Sequence, residues 1–582
     1  MKNIFLNPQK ADYSDINSND RILLKKTIDF FEGRGKIKLK DDDHDRVWYS
    51  DFLDFQSKNK LFSTFLTPSD IATNQNQRWD TFRNSAMSEL LGFYGLHFWY
   101  TWQVSILGLG PLYMTKNIKL KERTAKLLDD GGIFAFGLSE KEHGADIYST
   151  SMQLKNVGNS KYLANGKKYY IGNGNKAALV SIFAKVDPPW DPEDKKYGSY
   201  VFFAVDSQNE HYKCIKNIVN VQSYVAEFEL QDYPISEDDI IAKGRDAWDA
   251  SLNTVNVGKF NLGWASIGIC EHSFYESISH ANNRVLYGMP VTAFPHVKQF
   301  FIDAYCRLYA MKLMASRGID YMRSASAEDR RYLLYDPMVK MKVTTQGEEV
   351  INLLWDVIAA KGFEMDTYFE MAARDIRALP KLEGTAHVNM LLIMKFMVNY
   401  FVNHDDELPE IPKMKDANDD SYLFNQGRAS GLGKIRFHNY EKIYNEYKHL
   451  RNVAIFIKQI NIFKLFGLNE ETRPDMMQMM DTDFSLLLGE LFTLCVYGQC
   501  ILEESKLTNI DEEIIDQIFD FMVRDFSKYA LQLYSKTGST NEQQNVCLSM
   551  IMKQSCTDED LQRSEQVWEE IVKLDGAYEM NK

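Results

Sequence analysis

Residues 374–385 read Arg374-Asp375-Ile376-Arg377-Ala378-Leu379-Pro380-Lys381-Leu382-Glu383-Gly384-Thr385. Periodicity places this run between two helices. Upstream, Phe369, Ala372, Ala373 and Ile376 recur at helical spacing, and Pro380 stops the pattern. Downstream, Val388, Leu391, Leu392 and Phe396 start a second apolar stripe, with Thr385 as its N-cap. A Glu in such a joint, followed by Gly, can point into a cleft while the backbone comes close to a ligand, which suits a general base. Taken alone, Glu383 reads first as a solvated loop carboxylate. The rest of the chain changes that reading.

Working outward, residues 251–282 form one long helical candidate, with Gly263 and Gly268 as points of close packing. Residues 294–322 form a second. A third runs to Ala360, where Val350, Leu353, Leu354, Val357 and Ile358 make one stripe and Lys361-Gly362 supplies the stop. The fourth begins after Thr385, which completes a bundle. Before the bundle lies a β-rich block. Residues 162–170 read as a strand, a turn at Asn165-Gly166 and a second strand. Residues 179–186, 200–205 and 226–230 are further strands. Residues 79–91 and 119–128 are the clearest helices of the N-terminal part. After Val402 the composition turns acidic, with Pro409 and Pro412, and then helical again. The expected class is α+β, mainly α. Its parts are an N-terminal helical domain (1–130), a central β-barrel or sandwich domain (131–245), a four-helix bundle (246–402), a linker (403–425) and an extra C-terminal helical domain (426–582).

A chain of 582 residues is too long for one compact core. Its 45% hydrophobic and 25% charged content is that of a globular protein, and a net charge of -14 argues against nucleic-acid binding. Seven cysteines without a CxxC pair read as reduced, mostly buried thiols of a cytosolic protein, or of the mitochondrial matrix if the chain is eukaryotic and processed. Residues 90–114 carry almost no charge, but His97, Gln103, Gly92, Gly95, Gly108, Gly110 and Pro111 favour a buried helix with a following loop over a membrane span. No metal-ligand cluster stands out.

Four ordered motifs then carry a resemblance. The first is Ser139-Glu140 followed by Gly144-Ala145-Asp146. The second is Asn165-Gly166-Lys167-Lys168-Tyr169-Tyr170-Ile171-Gly172-Asn173-Gly174. The third is Arg284-Val285-Leu286-Tyr287-Gly288-Met289-Pro290. The fourth is Ala360-Lys361-Gly362-Phe363, then Arg374-Asp375 and Glu383-Gly384-Thr385. In this order the chain resembles the acyl-CoA dehydrogenase family of FAD-dependent flavoproteins over about residues 20–400, and the last 180 or so resemble the extra helices of its long members more loosely.

The resemblance implies α,β-dehydrogenation of an acyl-CoA thioester to a trans-2-enoyl-CoA. Glu383 would take the α-proton and the β-hydride would pass to flavin N5. The Glu383 N–H would help bind the thioester oxygen, and Gly384 would let the chain approach. FAD would be held by Phe136, Leu138, Ser139, Gly144, Ala145, Tyr170, Ile171, Gly172, Arg284, Tyr287 and Thr385. Tyr170 would stack on the flavin, and Arg284 would pair with the pyrophosphate of a neighbouring subunit, making a homodimer. Ala145, Lys259 and Gly384 would meet substrate. Arg374 and Asp375 would brace the loop. The acceptor would be an electron-transferring flavoprotein or oxygen, and Leu382 with the C-terminal extension leans toward long acyl groups.

The chain departs from the family pattern at Ala145 (usually Ser), Gly172 (usually Thr), Lys259 (usually Arg) and Asp356, in a stretch that meets the adenosine half of FAD. Each lost hydrogen bond weakens cofactor binding by about 0.5–1.5 kcal/mol. Three further readings follow: an acyl-CoA oxidase, an acyl carrier protein-linked dehydrogenase, and a flavin-poor scaffold on the same fold.

Overall fold

The computed structural model describes residues 3–582. The chain forms two compact units. One is built on Asp12–Asn261, with Lys415–Ser430 and Met580–Lys582. The other is built on Leu262–Met414 and Gly431–Glu579, with the N-terminal residues up to Ala11.

The first unit combines helices with the sheet. Asp80 caps helix Thr81–Tyr94 by accepting from the Phe82 and Arg83 amides. Helix Leu96–Met114 follows and is buried almost throughout. The expected loop at its end is helical instead, with Pro111 inside the helix. Gly108 explains why: a Cβ there would fall 2.6 Å from Ala135 N, so the glycine lets the helix lie directly on strand β1 (Ile133–Gly137).

Strands β2 (Gln153–Gly158), β3 (Lys161–Gly172), β4 (Ala177–Asp187), β5 (Tyr200–Val205), β6 (Tyr212–Asn217), β7 (Val225–Ser236) and β8 (Ile240–Lys243) complete an eight-stranded sheet. Its order is β6-β7-β3-β2-β4-β5-β8, with β1 parallel to β4. Inward residues of these strands, among them Leu154, Ile171, Ile182, Phe203 and Phe228, share one core. The expected turn at Asn165-Gly166 lies inside β3. Gly166 sits in a bulge of the β3–β7 ladder at φ +141°, and Asn165 exchanges hydrogen bonds with Asp232 on β7. The β2–β3 turn uses Gly158, Asn159 and Ser160, all at positive φ.

Residues 415–430, which take in the second half of the expected linker and the first residues of the expected C-terminal domain, form an ordered strap on this unit. Asp420 N donates to Trp79 O, the Asp420 carboxylate accepts from Thr81 N, and Phe424 meets Trp79 and Tyr113 edge-on.

The second unit is helical. Helix Pro295–Arg323 packs against Thr344–Ile358, Thr482–Thr508 and Glu512–Tyr534. The extra C-terminal helices therefore share a core with the bundle helices. Thr482–Thr508 is long and apolar enough to cross a membrane, yet 83% of its most apolar window is buried inside this unit. The expected helix 251–282 is observed as Gly244–Gly258, which belongs to the first unit, and Phe260–Asn283, which belongs almost wholly to the second, with the break at Lys259. Thr344–Ile358 ends two residues earlier than expected, because Ala359 (φ +56°) leaves the helical region before Gly362.

Candidate active site

In the sheet unit, β1 delivers Leu138, Ser139 and Glu140 to a loop. Glu140 is buried and does not face a ligand. It accepts from Thr150, the Ser151 hydroxyl and amide, the Met152 amide and Lys168 Nζ, the last at 2.8 Å. Lys168 also donates to Leu138 O at 3.0 Å. Burial raises the Glu140 carboxyl, but Lys168 and the hydroxyl donors outweigh it and bring it to about 2. Burial pulls the Lys168 ammonium down to about 8, with Glu140 partly offsetting. The Glu of the first motif is thus a staple for the loop, and Lys168 its partner.

Ser139 Oγ donates to Tyr169 O at 2.7 Å, and Tyr169 N returns a bond to Ser139 O. The next residue, Tyr170, sits at φ +65° in a second bulge of β3 and is 62% exposed, its ring edge-on to Tyr169. A tyrosine in the left-handed region is uncommon and costs about 1–2 kcal/mol. Here it turns an aromatic face outward beside the 138–139 backbone. Ile171 is a core residue, so only its backbone can serve a ligand. Phe136 stacks on Phe202.

Gly172 explains one departure. A Cβ there would lie 2.7 Å from Tyr100 Cε1, 2.7 Å from Val104 Cγ2 and 2.9 Å from Tyr100 Oη. The Tyr100 ring from helix Leu96–Met114 fills the volume a threonine would need. Asn173 bridges the strand end to Thr101 and Phe134 O. Gly144 and Ala145 lie on an exposed loop, and a Cβ on Gly144 would meet nothing within 4 Å, leaving its backbone accessible. Lys259 is buried, with Nζ 3.4 Å from Asn256 Oδ1.

In the helical unit, Glu276 accepts from the Tyr368 and Phe369 amides and so caps helix Tyr368–Asp375, whose face Phe369, Ala372 and Ala373 is buried, as is Ile376 beyond it. The joint that follows is tightly determined. Glu383 has φ +54° and Gly384 φ +82°. Lys340 Nζ, buried on the π-helical turn Val339–Val343, donates to Pro380 O (2.8 Å) and Gly384 O (2.6 Å). Asn389 Nδ2 donates to Gly384 O and Thr385 O, and Thr385 caps helix Ala386–Ile393 as expected. The stripe of that helix differs from expectation. Val388 and Leu391 are exposed, and Asn389, Met390 and Ile393 face inward because Asn389 must reach the loop carbonyls. Arg374 pairs with Glu370 at 3.8 Å.

Arg284, Tyr287 and Phe363 are exposed in this unit. Residues 284–290 form a hairpin with Leu286 opposite Met289, and Tyr287 and Gly288 make its two-residue turn at positive φ. Tyr287 is 92% exposed. Burial lowers the His280 pKa, and the Lys361 and Arg284 cations lower it further against the opposing carboxylates of Glu364 and Glu276. On the sheet unit, an exposed aromatic face beside bare backbone fits the ring of FAD; on the helical unit, the exposed Arg284 guanidinium is of the kind that pairs with a diphosphate.

Sequence reasoning missed Lys340, Asn389, Lys168, Glu276 and Tyr100. Lys340 had a signal shared with Lys342: both interrupt the apolar run 338–343, and a buried lysine there must find internal acceptors.

Comparisons with known proteins agree with this architecture. Residues 246–398 match the family model of the acyl-CoA dehydrogenase C-terminal domain. A 3-(aryl)acrylate reductase of Clostridium sporogenes is 22% identical over 293 residues, covering 50% of this chain and 75% of that one. An acyl-CoA dehydrogenase of Bacillus subtilis is 23% identical over 304 residues, covering 50% and 76%. The solved acyl-CoA dehydrogenase of Bacillus anthracis, complexed with FAD, is 14% identical and superimposes with a TM-score of 0.72 over 98% of this chain and 97% of that one. The fold is thus shared along the whole chain, C-terminal helices included. Residues 246–398 thus belong to the acyl-CoA dehydrogenase C-terminal domain family, and the rest of the chain shares the fold of a solved acyl-CoA dehydrogenase.

Proposed function

We propose that this chain dehydrogenates an acyl-CoA thioester between its α and β carbons, with Glu383 as the base for the α-proton. The observation that carries the reading is the Glu383 loop. A glutamate held at positive φ beside a glycine, with Lys340, Asn389 and Thr385 binding the neighbouring carbonyls and amide, is a carboxylate positioned at a cost in strain. The α-proton of a thioester is weakly acidic, so abstraction needs a fixed base and a donor for the charge growing on the thioester oxygen. Glu383 Oε accepts the proton, and the Glu383 amide is the donor. FAD, when bound, supplies the two-electron acceptor. On the sheet unit, Tyr170, the Leu138–Ser139 backbone and the Gly144–Ala145 backbone would hold it. On the helical unit, Arg284 would pair with a diphosphate.

Further parts of the proposal are a long acyl group, supported by Leu382 and the extension, and a homodimer. The exposed hairpin residues Val285, Tyr287 and Met289, with Phe363 and Met365, support the dimer. Electrons would pass on to an electron-transferring flavoprotein.

The purified protein is expected to be yellow and to bleach anaerobically with acyl-CoA, fastest with long chains. Glu383→Gln should keep the colour and lose bleaching by several orders of magnitude. Equal bleaching of this variant rules out the base assignment. Oxygen uptake with peroxide release would instead make the protein an oxidase.

A further inference from the structure

Helix Met476–Met480, in the C-terminal extension, reads Met-Met-Gln-Met-Met, and its amphipathy is inverted. Its buried member is the polar one. Gln478 donates to Gly538 O (2.7 Å) and Gln543 Oε1 (2.8 Å), and its side chain and amide complete a capping box with Asp475. Met476, Met477, Met479 and Met480 are 78%, 76%, 44% and 74% exposed. A surface helix ordinarily buries its apolar stripe. This one is anchored through its amide and presents four thioether chains outward. The arrangement is built. The Thr472 hydroxyl donates to Phe466 O, tying the preceding turn to helix Arg451–Leu468, whose last turns also expose Leu465 and Leu468.

The surrounding charge selects the occupant. Between residues 469 and 483 the exposed charged side chains are Glu470, Glu471, Asp475, Asp481 and Asp483 against the cation Arg473, and Asp483 is also paired with Lys536. This rim repels an anionic lipid surface, and a second copy would bring the same acidic rim against itself. A helix with an apolar stripe and flanking lysines or arginines satisfies both features. Methionine suits it because unbranched, polarizable chains repack around varied apolar partners. We propose that the Met476–Met480 surface docks a basic amphipathic helix presented by a partner protein.

The test uses the full chain and two synthetic probes, an amphipathic Leu/Lys helical peptide and the same composition scrambled. Isothermal titration should show binding of the amphipathic peptide, weakening with added salt, and at least tenfold weaker binding of the scrambled one. Methyl-methionine NMR should report it at residues 476–480. Changing all four methionines to Gln should weaken binding at least tenfold with the melting temperature unchanged. Glu470→Gln with Glu471→Gln should weaken it less and flatten the salt dependence. The proposal is overturned by any of four results: no binding, equal binding to the four-Gln variant, anionic vesicles bound in preference to the peptide, or a solution dimer that the four-Gln variant converts to monomer.

Discussion

Lys340 determines the geometry of the joint more directly than Glu383 itself. Its ammonium satisfies two carbonyls, one on each side of the glutamate. Lys340→Met would remove one of two donors from each carbonyl, leaving Pro380 O to the Ala386 amide and Gly384 O to Asn389 Nδ2, at about 0.5–1.5 kcal/mol for each bond lost. A shift of the loop by about 1 Å costs roughly 10²-fold in rate. The expected outcome is a lower denaturation midpoint and a fall in kcat of that order with KM little changed, read by anaerobic stopped-flow bleaching. A variant that melts and bleaches like the parent would show that the loop holds its own shape. The Glu140–Lys168 pair gives a second prediction, in pH. The Glu140 carboxyl titrates near 2 in the fold and near 4.5 in an unfolded chain, so its stabilisation is complete above about 4.5 and is lost as pH falls toward 2. Lys168→Met leaves the carboxylate buried without its cation, at about 3–5 kcal/mol. The carboxyl pKa must then rise from about 2, so the variant should lose less stability than the parent as pH falls from about 4.5 toward 2. Melting curves at about pH 2.5, 3.5, 4.5 and 7 read this difference directly.

At the scale of elements, β3 and helix Leu96–Met114 are fitted to each other through Gly172 and Tyr100. Gly172→Thr would place its Cβ against Tyr100 and Val104, and overpacking of this kind costs about 1–3 kcal/mol. Tyr100→Ala opens the space. The double variant should therefore be less destabilised than the two single effects added, and a double-mutant cycle measures the difference. If the effects simply add, Tyr100 is not what excludes a side chain at 172. The same contact shows what local pattern can carry. Strand β5 follows from its run of β-branched and aromatic residues, and the Thr385 cap from its position before an apolar stripe. The Glu383 joint was legible because periodic apolar residues flank it. The bulge at Asn165-Gly166 was not. Asn-Gly favours a turn locally, and only the distant Asp232 makes the straight strand the better hydrogen-bonding solution. The orientation of helix Ala386–Ile393 was hidden for a related reason. Asn389 is drawn inward by the loop carbonyls, which turns Val388 and Leu391 outward against their hydrophobicity.

At the scale of the helical unit, the C-terminal extension is part of the bundle's own core. Helix Thr482–Thr508 packs on Pro295–Arg323, and two buried guanidinium groups of that helix depend on carboxylates of the extension. Arg307 makes a bidentate pair with Asp525 at 2.8 and 2.9 Å. Arg317 Nε donates to Glu503 at 2.7 Å, and Tyr321, His438 and Gln499 bond the same carboxylate. Burial raises the Glu503 carboxyl, but Arg317 and His438 outweigh it and hold it well below the usual carboxylate range. A chain ending at Ser430 would expose the apolar face of Pro295–Arg323 and take Asp525 from Arg307 and Glu503 from Arg317, leaving them Glu349 and Asp320. Losing one partner of a buried pair costs about 3–5 kcal/mol, and total stabilities are about 5–15 kcal/mol. The truncated chain is therefore expected to aggregate or to lose cooperative unfolding. Asp525→Asn and Glu503→Gln keep the extension and test the pairs alone; each should lower the denaturation midpoint without altering a bleaching rate set by Glu383. A soluble 1–430 fragment that unfolds cooperatively would show that the bundle closes its core without the extension.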